Sequence, residues 1–226
     1  MSEETDGQID GQIVASMERM MKRFHSMTPE ERAEAERRSN DFDRDNRLYS
    51  LRGEWNVPER QLRAKDLDRS GAWGAKEAEL AKMIGNGFLV ALVGGRGPGK
   101  TQMGVELMKK CTEKYLTAYY DTLTGLFLKI KATFKRDSHE TEDDLIKRMA
   151  KPQLLVLDEI SRRSDSDWEN RMIYELIDRR YYGMKDTLLI ANQSKAQFLE
   201  AIGESLASRM QETGGIVECN WQSYRL

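Results

Sequence analysis

The chain of 226 residues has little cysteine, little histidine and no long apolar run. Cys111 and Cys219 are its only cysteines and lie far apart, which excludes a disulfide framework and a zinc cluster. His25 and His139 show no ligand spacing and read as solvated side chains. No stretch approaches the ~18 to 20 consecutive apolar residues that cross a bilayer. The acidic opening, Met1 to Asp10, lacks the basic-then-apolar layout of a signal peptide, so a cytoplasmic location is expected. An excess of one charge is missing as well. Charged residues make up 33% of the chain but cancel to a formal net charge of −2, which excludes a polybasic nucleic-acid binder. Contact with nucleic acid must then come from a local basic patch, or from a surface multiplied by assembly, because phosphate neutralisation drives such binding.

What the chain does have is enough apolar residues, 39%, to build the core of one α/β domain with an appendage. It also has Gly94-Gly95-Arg96-Gly97-Pro98-Gly99-Lys100-Thr101, a full match to the G-x-x-x-x-G-K-[ST] phosphate-binding pattern, Walker A. The apolar run Phe88 to Val93 before it suits a buried strand, and Gln102 to Lys110 after it suits a helix, which is the setting the motif needs. Glycines let backbone N–H groups turn toward phosphate oxygens, and the helix N-terminus adds partial positive charge. The cradle is therefore expected from Gly94 to Gln102, with Lys100 reaching the β and γ phosphates and Thr101 holding Mg²⁺.

Ahead of this motif, Ile13, Met17, Met20 or Met21, and Phe24 recur at helical spacing as one apolar stripe. Thr28-Pro29-Glu30-Glu31 then reads as a capping box opening a second, mostly charged helix to about Asn40, with Glu34 and Arg38 placed to pair. Two readings of this pair stay open: a helical extension packed on its own domain, or a docking arm whose methionine stripe meets a partner. Residues 46–75 contain Gly53, Pro58, Gly71 and Gly74 and read as linker and lead-in, with residues 76–226 as the catalytic domain and 1–45 as the extension. Further strands are expected at Leu116 to Tyr120, Leu154 to Asp158, Thr187 to Ala191 and Ile216 to Cys219. Strands alternating with helices imply a five-stranded, mostly parallel sheet covered by helices, with ligands at the strands' carboxyl ends.

Leu154-Leu155-Val156-Leu157-Asp158-Glu159 is an apolar strand ending in two carboxylates, as a Walker B segment is. Asp158 is expected to position Mg²⁺, and Glu159 to polarise the water that attacks the γ-phosphate. Asn192 follows the next strand, where its amide can reach both that water and the γ-phosphate, although a turn residue is an equal description of it alone. Arg209, in Ser208-Arg209-Met210, is either a solvated side chain or an arginine finger for a neighbouring subunit.

These elements in this order, with Asp158-Glu159-Ile160-Ser161, Ser166-Asp167-Trp168-Glu169, Ile177-Asp178-Arg179-Arg180-Tyr181 and the ending Asn220-Trp221-Gln222-Ser223-Tyr224-Arg225, resemble the DnaC/IstB group of AAA+ ATPases over roughly residues 55–226. The ending resembles the replicative-helicase loaders of that group. The resemblance implies a P-loop AAA+ fold, ATP and Mg²⁺, and activity at subunit interfaces of a self-associating oligomer. It also implies partnership with a DnaB-type hexameric helicase and single-stranded DNA, with residues 1–45 as the candidate helicase-docking region. By this resemblance Asn192 is sensor 1, Arg209 the finger and Arg225 the sensor-2 arginine, and no full lid subdomain is expected after Arg225. A helix facing single-stranded DNA is implied for Thr122 to Arg136, where Leu123, Leu126 or Phe127, Ile130 and Phe134 form one side and Lys129, Lys131, Lys135 and Arg136 lie elsewhere. The alternative there is a covering helix with Phe134 in the core; the acidic run Asp137 to Asp144 would oppose DNA. A transposition helper of the IstB type that binds duplex DNA, and a non-hydrolysing ATP-binding adaptor, are the rival functions.

Overall fold

Apolar residues that alternate between two faces of a sheet need a helical layer on each face, and the chain supplies both. The computed structural model describes residues 21–22, 25–40, 56–65, 67–135, 137–161 and 166–222. The chain divides into two units, Met1–Arg47 and Leu48–Leu226. In the second unit α1 (Glu59–Leu62) and α2 (Ala72–Met83) lead into β1 (Leu89–Val93), and the glycine-rich loop joins β1 to α3 (Lys100–Glu113). Then come β2 (Ala118–Thr122), α4 (Leu123–Ala132), α5 (Glu142–Ala150), β3 (Leu154–Asp158), α6 (Asp167–Tyr182), β4 (Asp186–Ile190), α7 (Lys195–Thr213) and β5 (Gly215–Glu218). The strand order is β2-β3-β4-β1-β5, and every pairing is parallel.

β1, β3 and β4 are buried along their whole length, which is why their sequences read as continuous apolar runs. Leu89, Ala91 and Val93 point into the core under α4 to α7, while Val90 and Leu92 point into the core under α2 and α3. Gly104 lets α3 lie close on the second face, since a Cβ there would stand 3.0 Å from Val156 Cγ1. All five expected strands form. The largest displacement is in β2, expected over 116–120 and found at Ala118–Thr122. Residues 56–75, read as linker and lead-in, contribute α1, the start of α2 and the buried side chains of Leu62 and Trp73 to the second unit.

The expected helix over 122–136 is shorter than its pattern. Thr122 caps its start by accepting from Gly125 N, but α4 ends at Ala132, where the Thr133 hydroxyl donates to Ile130 O and Thr133 N also bonds Ile130 O. Leu123, Leu126, Phe127 and Ile130 are buried, whereas Phe134 lies past the helix end and is exposed. The acidic run that follows builds a helix start. Thr141 and Asp144 form a capping box, and the Thr141 hydroxyl and N–H hold the Asp144 carboxyl below the usual carboxylate range. Glu142, Asp143 and Asp144 then sit where the helix dipole favours negative charge.

At the amino-terminal ends of the strands, Arg180 is fully buried. It donates to Thr187 Oγ1 and to the carbonyls of Met149, Ala150, Pro152, Gln153 and Asp186. Met149 and Ala150 belong to the last turn of α5, whose carbonyls carry the negative end of that helix. Burial pulls the Arg180 pKa down to about 9. The Asp186 carboxylate accepts from Gly85 N, Gly87 N, Phe88 N and Gln153 Nε2.

The first unit contains a helix over residues 29–40. Its expected capping box is present: Thr28 N donates to Glu31 Oε2 at 2.8 Å and Glu31 N donates to Thr28 Oγ1 at 3.2 Å. Arg38 and Glu34 pair at 2.5 Å. Met21 is exposed, and Ile13, Met17, Met20 and Phe24 lie outside the described residues. Among the described residues no helix is long and apolar enough to cross a membrane.

Candidate nucleotide site

The loop that follows β1 turns back on itself because Gly94, Gly97 and Gly99 adopt positive φ, and Gly99 at φ 80 starts α3. Lys100 is almost wholly buried, and its Nζ donates to Gly94 O at 3.0 Å and Gly95 O at 2.6 Å, which keeps the ammonium inside the loop. The strand order β3-β4-β1 places the ends of β3, β4 and β1 side by side. Asp158, Asn192 and the loop therefore arrive at one edge, and all line a single cleft of about 580 Å³.

Asp158 is the meeting point of that edge. Its Oδ2 accepts from Thr101 Oγ1 at 2.6 Å and from the Tyr120 hydroxyl at 2.9 Å, and its Oδ1 accepts from Glu159 N at 2.6 Å. Burial and the neighbouring Asp158 charge push the Tyr120 hydroxyl far above the usual tyrosine range, so it is a permanent donor to that carboxylate. Glu159 takes a left-handed backbone conformation at φ 59, which turns the chain sharply away from β3 and leaves its half-buried side chain lining the cleft. Asn192 is exposed on the same cleft.

The opposite wall comes from the lead-in. Arg60, Gln61, Leu67, Asp68 and Trp73 line it. Gln102 Nε2 donates to Gln61 O at 2.9 Å, which ties α1 to the first turn of α3. Two indoles hold the glycine-rich loop: Trp73 Nε1 donates to Gly99 O at 3.2 Å and Trp221 Nε1 donates to Pro98 O at 2.6 Å. The donor set suits a nucleoside triphosphate, with a lysine and loop N–H groups for phosphates and a mixed apolar and polar wall for the base. The Thr101 hydroxyl and the Asp158 carboxylate also suit Mg²⁺, which keeps several waters and takes one or two carboxylates plus phosphate oxygens.

Comparison with known proteins agrees with this geometry. Residues 14–226 match the family model described as IstB-like ATP binding protein. The chain belongs to that family. By family and fold this IstB-like chain is an AAA+ P-loop ATPase. It is 27% identical to the replicative helicase loader DnaC of Escherichia coli K12 over 130 residues, covering 57% of this chain and 53% of DnaC. The chain thus spans about half the length of the curated relatives it matches. A crystal structure of the DnaC helicase loader superposes with a TM-score of 0.57 at 20% identity, over 67% of this chain and 93% of that one. AMPPCP-bound DnaA from Aquifex aeolicus superposes with a TM-score of 0.55 at 19% identity, over 66% of this chain and 47% of that one.

The IstB-like frame brings most expected site residues together and leaves some apart. Arg96, Gly97, Pro98, Gly99, Lys100, Thr101, Gln102, Asp158, Glu159 and Asn192 share the cleft. Arg209 does not line it; it is late in α7, beyond a kink at Gly203, and is paired with Asp178. Arg225 lies outside the described residues, as do Ser223 and Tyr224. Of the basic residues expected to face DNA, Lys129 is engaged within the fold by the Asp121 carboxylate and the Tyr119 hydroxyl. Burial works against that ammonium, and these two hydrogen bonds outweigh it and raise its pKa. Lys131 lies over the Trp168 ring at 5.5 Å, and Phe134 meets the same ring edge-on at 6.0 Å. Arg136 is outside the described residues.

Sequence reasoning missed Tyr120, Trp73 and Trp221 as parts of the site. Tyr120 carried a signal that only the sheet makes usable: it pairs with Val156 and so stands on the same face as Asp158, two residues on.

Proposed function

We propose that this chain is an ATP-dependent loader of a DnaB-type replicative helicase onto single-stranded DNA during DNA replication. The observation that carries the reading is the match to the replicative helicase loader DnaC in a chain that also holds the nucleotide cleft. In this reading ATP binds with its phosphates on Gly94 to Gln102 and Mg²⁺ on Thr101 and Asp158. The ion, when bound, would neutralise charge on the β and γ phosphates. Lys100 contacts the same phosphates, Glu159 accepts a proton from the attacking water, and Asn192 orients that water against the γ-phosphate. Arg209 serves the nucleotide of a neighbouring copy, which makes hydrolysis depend on self-association, and Arg225 contacts nucleotide as sensor 2. Residues 1–45 grip the helicase, and the surface around α4 meets single-stranded DNA, with Lys131, Lys135 and the exposed Phe134 as its available groups.

The test is co-purification of the full chain with a DnaB-type helicase from the same genetic source, with and without residues 1–45. A nucleotide-sensitive complex that needs residues 1–45 is expected. Absence of any complex under every nucleotide condition would sink the reading. A second reading, an IstB-type transposition helper that assembles on duplex DNA, is favoured by the family model itself. Binding to long duplexes in strong preference to single strands would decide for it.

A further inference from the structure

The side chains that hold Arg209 form an ordered mount. Arg209 Nη1 lies 2.5 Å from Asp178 Oδ1, and its Nη2 donates to Asp178 Oδ2 at 3.2 Å. The guanidinium also lies over the rings of Tyr181 and Tyr182, 5.5 and 5.9 Å from their centroids. Those rings brace each other edge to face at 5.4 Å, and the Tyr181 hydroxyl donates to Glu212 at 2.6 Å. Asp178, Tyr181 and Tyr182 belong to the last turns of α6, and Arg209 and Glu212 to the last turns of α7. The mount reaches the surface: Tyr182 is 74% exposed, and the Arg209 side chain keeps 19% of its own exposure.

A free arginine side chain samples many rotamers, and ordering it on a phosphate costs entropy unless it is ordered beforehand. A carboxylate held through one N–H of Nη2, with Nη1 in ion-pair contact with its other oxygen, leaves guanidinium donors for a further acceptor. Such a pair fixes direction without exhausting donors.

We propose that Asp178 is the positioning residue for Arg209, holding the guanidinium ordered at the surface so that the γ-phosphate bound by a second copy of this chain meets a fixed donor. This rests on the reading of Arg209 as a group that acts on a neighbouring copy's nucleotide. Tyr181 and Tyr182 flank the same guanidinium and limit its swing.

The test uses the full chain with four variants: Asp178→Asn, Asp178→Glu, Arg209→Ala and the double variant Asp178→Asn/Arg209→Ala. ATP turnover is measured against protein concentration, nucleotide affinity of isolated monomers by titration with a fluorescent ATP analogue, and folding by thermal melting. Asp178→Asn is expected to lower assembly-dependent kcat by about 10²-fold, the scale of a misplaced catalytic group. KM, monomer affinity and melting should be unchanged, and Asp178→Glu should retain more turnover than Asp178→Asn. In the Arg209→Ala background, Asp178→Asn should add nothing. Unchanged kcat in Asp178→Asn alongside loss in Arg209→Ala would overturn the inference alone. So would an equal further loss from Asp178→Asn in the Arg209→Ala background. Unchanged turnover in Arg209→Ala would overturn the reading of Arg209 itself.

Discussion

Buried charge sits at both edges of the sheet, and the two edges answer it differently. At the amino-terminal edge, Arg180 and Asp186 are fully buried among backbone carbonyls and N–H groups from three stretches of chain, 85–88, 149–153 and 186–187. At the carboxyl edge, Lys100 and Asp158 are also buried, yet both line an open cleft together with Thr101, whose hydroxyl donates to Asp158, and Lys100 is held by loop carbonyls. The first arrangement is closed and can only hold the fold. The second presents exchangeable partners, which is what binding a phosphate and a cation requires.

The comparison makes separable predictions. Glu159→Gln, at the open edge, is expected to lower turnover ~10² to 10⁴-fold, the range for a lost general base, and to leave nucleotide affinity and melting unchanged. Equal turnover in variant and wild type would remove Glu159 from its role. Arg180→Ala, at the closed edge, is expected to cost several kcal/mol of stability, at roughly 1 to 3 kcal/mol for each buried group left unsatisfied, because it removes the donor to several buried carbonyls. Urea denaturation measures this, and nucleotide affinity of the folded fraction should not change. A loss of affinity without loss of stability would break the comparison.

The cysteines give a smaller and finer test. Burial pushes both thiols up to about 12, with Asp186 adding to the effect at Cys111 and Lys100 opposing it at Cys219. Unfolded cysteines ionise near 9, so each buried thiol contributes stability that is present below that pH and lost as pH rises toward about 12. At pH 8 alkylation should therefore be slow in the native chain and fast after denaturation. Cys219, whose carbonyl would lie 3.1 Å from a Cβ on Gly94, is the one whose protection should increase with bound ATP. Cys111, near the carboxyl end of α3 and hydrogen-bonded to Thr117 O, should not respond.

The open edge was legible in the sequence where its chemistry is contiguous. Gly94 to Thr101 and Asp158-Glu159 each declare themselves in a few adjacent residues, and the apolar runs beside them fix the strands. Partners drawn from distant segments were not legible. Tyr120 meets Asp158 only because β2 lies beside β3, and Trp73 and Trp221 bind loop carbonyls that leave no mark in sequence. The closed edge was hidden for the same reason: Arg180 stands inside the Ile177-Asp178-Arg179-Arg180-Tyr181 motif, but its partners are almost all backbone oxygens. The acidic stretch from Asp137 to Asp144 shows only charge in the sequence, whereas its last residues serve as the cap and first turn of α5. Phe134 follows the helical period on paper and loses its place when the helix stops at Ala132.

In the proposed function, each working site joins the cleft of one copy to Arg209 of another. Mixing settles it most directly. Lys100→Ala, which keeps Arg209 but should not bind nucleotide, is combined with Arg209→Ala, which keeps the cleft but lacks the guanidinium, and ATP hydrolysis is followed as the ratio changes. Each variant alone should be inactive, and the mixture should recover turnover with a maximum at intermediate ratios. No recovery at any ratio, with both variants folded and able to associate, would contradict the account.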